Sequence, residues 1–576
     1  MTTASCASSK SVWTWSIATR PCAASSYSCK GAALSATVYQ TFLQAVQAWP
    51  DRPFLCVMPE TAEIYDIAAG EISYQQAHES ILALKAAYQQ AGYGHGHRAG
   101  LLLENRPSFL LHWFALNALG VSVVPINAEL RAAELEYLVG HSEIAVAIAL
   151  PERHASLASA AAAAGRPLAL MGPDDQPPTA PFAADPTLAA PGSDTECALL
   201  YTSGTTGRPK GCILPNQYFV HAGLWYAKAG GLAALQAGRE RMLTPLPLVH
   251  MNAMAYSVMA MVVTGGCLIA IDRFHPSTWW DTVRDSQASV VHYLGVMPAI
   301  LMKAPPSIDD QAHAVRFGFG AGIDRALHQA FEQRFGIPLL EAWAMTETGA
   351  GAVIIANKEP RHIGTSCFGK EEDDVQVRLV SDTGAEALPG DPGELLVRHA
   401  GPDPRYGFFA GYLKDEAATQ EAWQGGWFHT GDIVRRNEQG HLQFIDRKKN
   451  VIRRSGENIA AVEVESVLGQ HPAVKAVAVA AVPDAVRGDE VLACIVTQPM
   501  PTAAEAAALA RDIVSWTLTR LAYYKAPGYI AFVDALPLTA TNKIQRGALK
   551  TLAHGLPDTP LCIDTRSLKK RQEIPA

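Results

Sequence analysis

The sequence predicts an α/β protein. It should have a large N-terminal domain of parallel-rich sheets flanked by helices, a β-rich subdomain, and a small α+β C-terminal domain. Three observations carry this. In the N-terminal half, short β-branched runs alternate with longer helical stretches, the pattern of a parallel sheet with crossover helices. From Gly364 to Arg398 the chain changes to alternating strands joined by turns. Near Arg447 a third region begins, about one small domain long. A chain of 576 residues also exceeds what one hydrophobic core usually serves.

The elements follow in order. Residues 1–33 carry no Asp or Glu and only three basic residues, and they mix Ser, Ala, Cys and Trp without periodicity. They lack the uninterrupted apolar run of a signal peptide. This segment reads as an extension, disordered or non-native, ahead of a folded region at 34–446. Leu84–Gln90 reads as helical. Ala99–Leu103 (AGLLL) and Val121–Pro125 (VSVVP) read as buried strands with a helix from Ser108 to Leu119 between them. Ala145–Leu150 is a further strand and Ala155–Ala164 a further helix, followed by an Ala- and Pro-rich surface excursion to Pro191. The uncharged run Ala253–Ile271 is barely long enough to span a bilayer. Gly265-Gly266 divides it, which predicts a buried helix, a turn and a strand, and no membrane span.

The β-rich part contains VQVRLV and GELLVR, with turns at Asp382–Gly384 and Pro389–Gly393. The third region, 447–555, holds VIRR, a helix at Ala461–Leu468, the strands VKAVAVAAV and VLACIVTQ, a helix at Ala504–Leu521 and the strand YIAFVDAL. Residues 556–576 read as a tail.

Composition narrows the class of function. Apolar residues make up 49% and charged residues 18%, as in globular proteins, and the net charge of -8 gives no footprint for nucleic acid. An anionic ligand would need local cations. The ten cysteines show no CxxC pair, so neither a disulfide framework nor a zinc site is indicated. Buried thiols in a reducing cytoplasm are the expected state.

Chemistry first shows at Tyr201–Gly211, YTSGTTGRPKG. Thr202, Ser203, Gly204, Thr205, Thr206 and Gly207 offer only hydroxyls and backbone, and Lys210 follows. Backbone N–H groups of such a turn can converge on an anion. The loop lacks the hydroxyl that follows the lysine in a Walker motif, so alone it is either an anion cradle or a solvated turn.

Its company favours the cradle. Downstream stand AWAMTETGAG (Ala342–Gly351), GWFHTGD (Gly426–Asp432), IDRKKNVIRRSGENI (Ile445–Ile459) and LPLTATNKIQR (Leu536–Arg546). With these motifs in this order, the chain resembles the adenylate-forming superfamily of acyl-CoA synthetases, peptide-synthetase adenylation domains and beetle luciferases. The resemblance spans roughly Val38 to Lys550. Through PLPLVHMNAMAYS and RKKNVIRRSGENI the layout is similar to the crotonobetaine/carnitine-CoA ligase group.

That resemblance implies a reaction. A carboxylate and ATP give an acyl-adenylate and pyrophosphate, and coenzyme A then takes the acyl group as a thioester. It implies that Thr202–Lys210 wraps the outer phosphates. Thr346 and Glu347 would be catalytic, with Glu347 placing a carboxylate for Mg²⁺, a hard cation that seeks oxygen ligands. Asp432, whose two oxygens match a vicinal diol, would take the ribose with help from Arg447. Trp343 would stack on adenine against Gly320, Ala321 and Gly322. Lys543 would stabilise charge developing at the α-phosphate. Lys449 would be the hinge about which the small domain rotates, withdrawing Lys543 and presenting Gly456 to a CoA tunnel. His250 would gate the carboxylate site, with Asn252, Tyr256, Met297 and Ala344 lining the acyl pocket.

Outside this context each has a plainer reading. Glu347 could be an acid at a helix start, Asp432 an ordinary turn residue, Trp343 core, Lys543 a solvated surface lysine and His250 a satisfied core histidine. Ala344 stands where the family commonly has Gly, Trp343 replaces the commoner Tyr, and Asn450 takes a position often acidic.

The expected function is therefore an ATP-dependent, AMP-forming carboxylate–CoA ligase acting on a short or medium, partly polar acid, with Arg316 the one candidate cation for a second carboxylate. A free-standing enzyme loading a carrier protein, or a luciferase-like oxygenase, is the alternative. ATP, Mg²⁺ and CoA are the implied cofactors and co-substrates. A small carboxylic acid is the partner, nucleic acid is not, and a homodimer is left open.

Overall fold

The alternation of strand and helix in the N-terminal half closes into two parallel-rich sheets. The computed structural model describes residues 36–184, 187–202, 209–325, 327–381, 384–447, 452–459, 461–537, 544 and 546–570. Ser203 to Gly207, Lys449 and Lys543 lie outside these, as do the first 33 residues.

In the first sheet, six strands run parallel in the spatial order Leu339–Trp343, Phe317–Ala321, Val290–Leu294, Arg241–Thr244, Cys267–Ala270 and Pro53–Val57. Antiparallel Ile354–Ile355 and Gly70–Ser73 flank them. The second sheet orders Gly411–Tyr412, Lys210–Pro215, Glu196–Thr202, Ser122–Pro125, Arg98–Leu102, Val146–Ala149 and Ala169–Met171, the last five parallel. Helices cover these sheets, and the strands, buried on both faces, are correspondingly apolar. A wholly antiparallel third sheet contains Val375–Val380, Pro392–His399, Phe428–Arg436, Leu442–Arg447 and Cys367–Gly369.

Caps explain where helices begin better than hydrophobic runs do. The helix read from Leu84 starts at Tyr74, because Ser73 and Gln76 form a reciprocal capping box ahead of its polar first turns. The run Ala253–Ile271 divides as expected: a π-helix at Asn252–Val258 continues as Met259–Thr264, turns at Gly265, and re-enters the first sheet as Cys267–Ala270. Among the described residues no helix is long and apolar enough to cross a membrane.

The C-terminal domain has its own two-faced core. Val477, Val479 and Ala481 of strand Ala476–Asp484 face helices Ala461–Leu468 and Ala503–Leu518. Ala478, Ala480 and Val482 face Leu549 and Ala553 of helix Arg546–Gly555. This is the period of two expected of a strand buried on both sides. The segment after Leu556, read as a tail, instead adds the strand Cys562–Asp564 antiparallel to Tyr529–Phe532. Five residues past that strand, Lys569 is buried against Glu490.

Candidate active site

A cavity of about 770 Å³ opens at the carboxyl ends of the parallel strands, where open α/β sheets generally hold ligands. Residues of the C-terminal domain close its far side.

One end is built around Glu347. Thr202 and Lys210 are cross-strand partners that bracket residues 203–208. The hydroxyls of Thr202 and Tyr412 donate to Glu347 Oε1 at 3.3 and 3.0 Å, holding a carboxylate only 7% exposed on the cavity wall. Lys210 Nζ lies 3.8 Å from Asp415 and 4.7 Å from the Tyr412 ring centroid. Thr346 lines the cavity, and its carbonyl accepts from the Tyr218 hydroxyl at 2.9 Å. Among the described residues no cluster of three metal-ligating side chains exists. Mg²⁺ is commonly held by one or two carboxylates together with substrate phosphates, and Glu347 beside the Thr202 hydroxyl fits that donor set.

The next wall is Gly320, Ala321 and Gly322. Buried Glu341 holds it: Oε2 accepts from the Gly322 N–H at 3.0 Å, and Oε1 from the Ile323 N–H at 2.9 Å and the Tyr293 hydroxyl at 3.2 Å. Gly320 is required by close approach, since a Cβ there would sit 2.2 Å from the Tyr293 carbonyl oxygen. Sequence reasoning missed Glu341. A carboxylate inside an apolar strand was the available signal.

Trp343 is placed differently from expectation. Its neighbours Ala342 and Ala344 line the cavity, and alternation along the strand turns the indole the other way. It is 6% exposed, packs near Phe368, and donates from Nε1 to Asp432 Oδ2 at 2.9 Å. Trp343 thus orients the carboxylate read as a ribose acceptor. Asp432 is buried beside Thr430 and Gly431, which are on the wall. Its backbone N–H donates to Thr430 Oγ1 at 3.0 Å. Asp432 and Arg447 are direct cross-strand partners.

At the other end, His250, Asn252, Tyr256 and Ala344 line the cavity. Tyr256 packs against Trp225 and Phe319, with ring centroids 5.6 and 5.8 Å apart. Met297 does not join them. The chain turns into helix Val296–Leu301 after Gly295, which sends Met297 into the core with Leu301 and Ile323. Arg316 does not reach this end either: it pairs with Glu240 and donates to the Ala234 carbonyl at 2.9 Å.

The C-terminal domain contributes the hairpin Ile452–Arg454/Glu457–Ile459. Gly456 at its tip has φ +87° and lies so close to Leu294 that a Cβ would approach Cδ1 to 2.1 Å. Glu457 Oε2 lies 3.7 Å from His250 Nε2. Burial disfavours the His250 cation, but the Glu457 carboxylate beside it outweighs this and raises the pKa. Burial likewise works against the Glu457 anion, and His250 reverses that, lowering its pKa. Lys525 also faces the cavity. Glu457 and Lys525 were not foreseen, because nothing local in sequence marks a contact between domains.

Residues 42–413 match the AMP-binding enzyme family, and residues 463–543 match the AMP-binding enzyme C-terminal domain. The chain is 31% identical to sulfoacetate–CoA ligase of Cupriavidus necator over 526 residues, covering 89% of this chain and 97% of that protein. It is 27% identical to crotonobetaine/carnitine–CoA ligase of Salmonella paratyphi A over 511 residues, covering 85% and 96%. Among solved structures, a double mutant of o-succinylbenzoate CoA synthetase from Bacillus subtilis with its product analogue superposes with a TM-score of 0.75 at 22% identity, covering 89% of this chain and 98% of that one.

Proposed function

This chain belongs to the AMP-binding enzyme family, and from that membership we propose the course of its reaction and the kind of acid it takes. It is an ATP-dependent acid–thiol ligase that forms acyl-CoA through an acyl-adenylate. The acid is short or medium in length and partly polar.

The observation that carries this reading is the single cavity shared by two chemistries. Glu347, Lys210 and the Gly320–Gly322 wall stand at one end, the apolar and polar acyl wall at the other, and the Gly456 hairpin lines the same cavity beside Leu294 and His250. A carboxylate is a poor electrophile because oxide leaves badly. Its oxygen attacks the α-phosphorus, the bond to the β-phosphate oxygen breaks, and pyrophosphate departs. The thiolate of CoA then adds at the acyl carbon and AMP leaves. Each step moves negative charge, so preorganised cations and donors supply most of the rate.

Lys210 and the loop it closes hold the outer phosphates, and Asp432, oriented by Trp343, accepts the ribose hydroxyls. Glu347 and the Thr202 hydroxyl would hold Mg²⁺, which neutralises phosphate charge when bound. Lys543, outside the described residues, would serve the first step. The hairpin at Gly456 serves the second, and the contacts at Leu294 and His250 support its docking there. Exchange between the two arrangements would turn about Lys449. A hinge need only absorb backbone change.

The test is pyrophosphate release with a panel of acids, with and without CoA, and mass detection of the thioesters. Thioester formation dependent on ATP and CoA is expected. Equal turnover without CoA and no thioester would overturn it. Lys543→Ala should suppress adenylate formation while sparing thioester formation from supplied acyl-adenylate, and an equal loss of both would remove the two-arrangement account.

A further inference from the structure

The acyl end of the cavity holds a polar relay that reaches into the core. His292 is fully buried on strand Val290–Leu294. Its Nδ1 lies 2.7 Å from Asn252 Oδ1 and 2.9 Å from Ser257 Oγ, and its Nε2 lies 3.2 Å from the Tyr226 hydroxyl. Burial pulls the imidazole pKa down to about 3, so the ring is neutral and carries one proton. The 2.7 Å contact between Nδ1 and a carbonyl oxygen requires that proton on Nδ1, since two lone pairs do not approach so closely. Nε2 then accepts from Tyr226, and Ser257 Oγ accepts a share of the Nδ1 proton.

The same contact orients Asn252. Its carbonyl oxygen is committed to His292, so its amide nitrogen is turned the other way. That nitrogen makes no hydrogen bond to any described residue, and Asn252 lines the cavity. The residue opens the π-helix Asn252–Val258, a widened turn of the kind that recurs at functional sites. A donor anchored from behind in this way is prepared for an acceptor that arrives with the ligand.

Charge restricts that acceptor further. The described lysines and arginines on the cavity wall are engaged elsewhere, Lys210 with Asp415 and Tyr412, Lys525 with Glu134 and Glu463, Arg487 with Glu490, and Arg453 over Phe444, and the His250 imidazole two residues from Asn252 already faces Glu457. Beside Asn252 stand Tyr256 and Phe319, with neutral His292 behind it. A second anionic group buried there would have to compete with Glu457 for His250, at a cost above that of a neutral oxygen.

We propose that Asn252 is a specificity-determining residue and that His292 is its positioning residue, selecting acids whose tail bears an uncharged acceptor oxygen such as a ketone, ether or hydroxyl. The inference rests on the acid–CoA ligase reading and names its substrate class. Such an acid would be favoured over its all-carbon isostere, and over acids with a second carboxylate or a sulfonate.

The test uses the full chain with ATP and CoA and compares acids matched in length: a keto acid, the corresponding ether acid, the methylene isostere, a dicarboxylate and a sulfonate. In the wild type, kcat/KM for the keto or ether acid should exceed that for the isostere by about tenfold or more. Asn252→Leu should bring that ratio close to one, His292→Phe should lower it, and His292→Asn, whose amide nitrogen can take the place of Nδ1, should restore it. The ratio is taken within each preparation, so partial misfolding of a variant does not move it. A ratio near one in the wild type, a preference for the dicarboxylate or sulfonate, or a ratio preserved in Asn252→Leu would overturn the proposal while leaving the ligase reading standing. Failure of every acid to release pyrophosphate would overturn both.

Discussion

Lys525 Nζ lies 2.7 Å from the carboxylate of Glu134, tying the C-terminal domain to the start of helix Ala132–Ser142 in the large domain. Glu463, from the C-terminal domain itself, holds the same ammonium at 2.7 Å, and the Ala522 N–H donates to Glu134 Oε2 at 3.0 Å. Lys525 and Glu134 are both about 8% exposed. Burial disfavours the Lys525 cation, but two carboxylates override it and push the pKa up. Glu134→Gln would leave the ammonium with one counter-charge and weaken the arrangement that presents Gly456. We expect thioester formation from supplied acyl-adenylate to fall by about tenfold, and pyrophosphate release in a single turnover to change by less than about threefold, since breaking a buried pair costs a few kcal/mol of which opening of the domains recovers part. Equal losses in the two half-reactions would argue against a role confined to one arrangement.

The contact between His250 and Glu457 makes the same arrangement dependent on pH. The His250 pKa is raised above its ordinary 6.5, so its contribution is complete below that value and is lost as pH rises through the raised one. The Glu457 pKa is lowered below its ordinary 4.5, so its contribution is present above 4.5 and is lost as pH falls through the lowered value. The pair therefore acts between those limits. The ratio of thioester-forming rates, wild type over Glu457→Gln, should be highest near pH 6 and decline through the raised His250 pKa. A ratio flat with pH would exclude the pair. Taking the ratio removes the separate effect of pH on the thiol.

Much of this architecture is legible in the sequence where one local signal decides the outcome. The run Ala253–Ile271 divides at Gly265 because glycine there adopts φ +65° and ends a helix. VQVRLV pairs in full register with Pro392–His399 because alternation and turns specify a hairpin. What escapes is decided by tertiary context. Cys562–Asp564 is three residues long and becomes a strand only because Tyr529–Phe532 offers an edge. Met297 and Trp343 lie within motifs of the site, yet helix phase and strand alternation turn them from the cavity. His292 looks like one polar residue in an apolar strand, and only the fold brings it to Asn252.

Trp343 offers a clean distinction. If its role were to stack on adenine, Trp343→Phe would keep an aromatic face and cost little. The indole N–H instead donates to Asp432 at 2.9 Å, and phenylalanine has no donor. A hydrogen bond to a charged group contributes about 1.5–3 kcal/mol. We expect KM for ATP to rise by about tenfold or more in Trp343→Phe, with kcat changed less, and Asp432→Asn to raise it further. An unchanged KM in Trp343→Phe would return the residue to the stacking role.

The buried cluster of Arg454, Glu490 and Lys569 predicts how stability responds to alkali. Arg454 Nε lies 2.8 Å from Glu490 Oε2, and Lys569 contacts the other oxygen of the same carboxylate. Burial, reinforced by Arg454 and only partly offset by Glu490, pulls the Lys569 pKa down from 10.5 to about 7. Between pH 7 and 10.5 the unfolded chain therefore binds a proton at this position that the folded chain does not. Stability from this group accordingly rises with pH across that window and is level below it. Lys569→Met removes the titration and leaves the Arg454–Glu490 pair balanced. Its urea midpoint should therefore gain less than that of the wild type on going from pH 7 to pH 9. Glu490→Gln strands the Arg454 cation in the core without its counter-charge and should cost about 3–5 kcal/mol, well beyond Lys569→Met. Parallel pH profiles for wild type and Lys569→Met, or a Glu490→Gln midpoint no lower than that of Lys569→Met, would show that the cluster does not act as described.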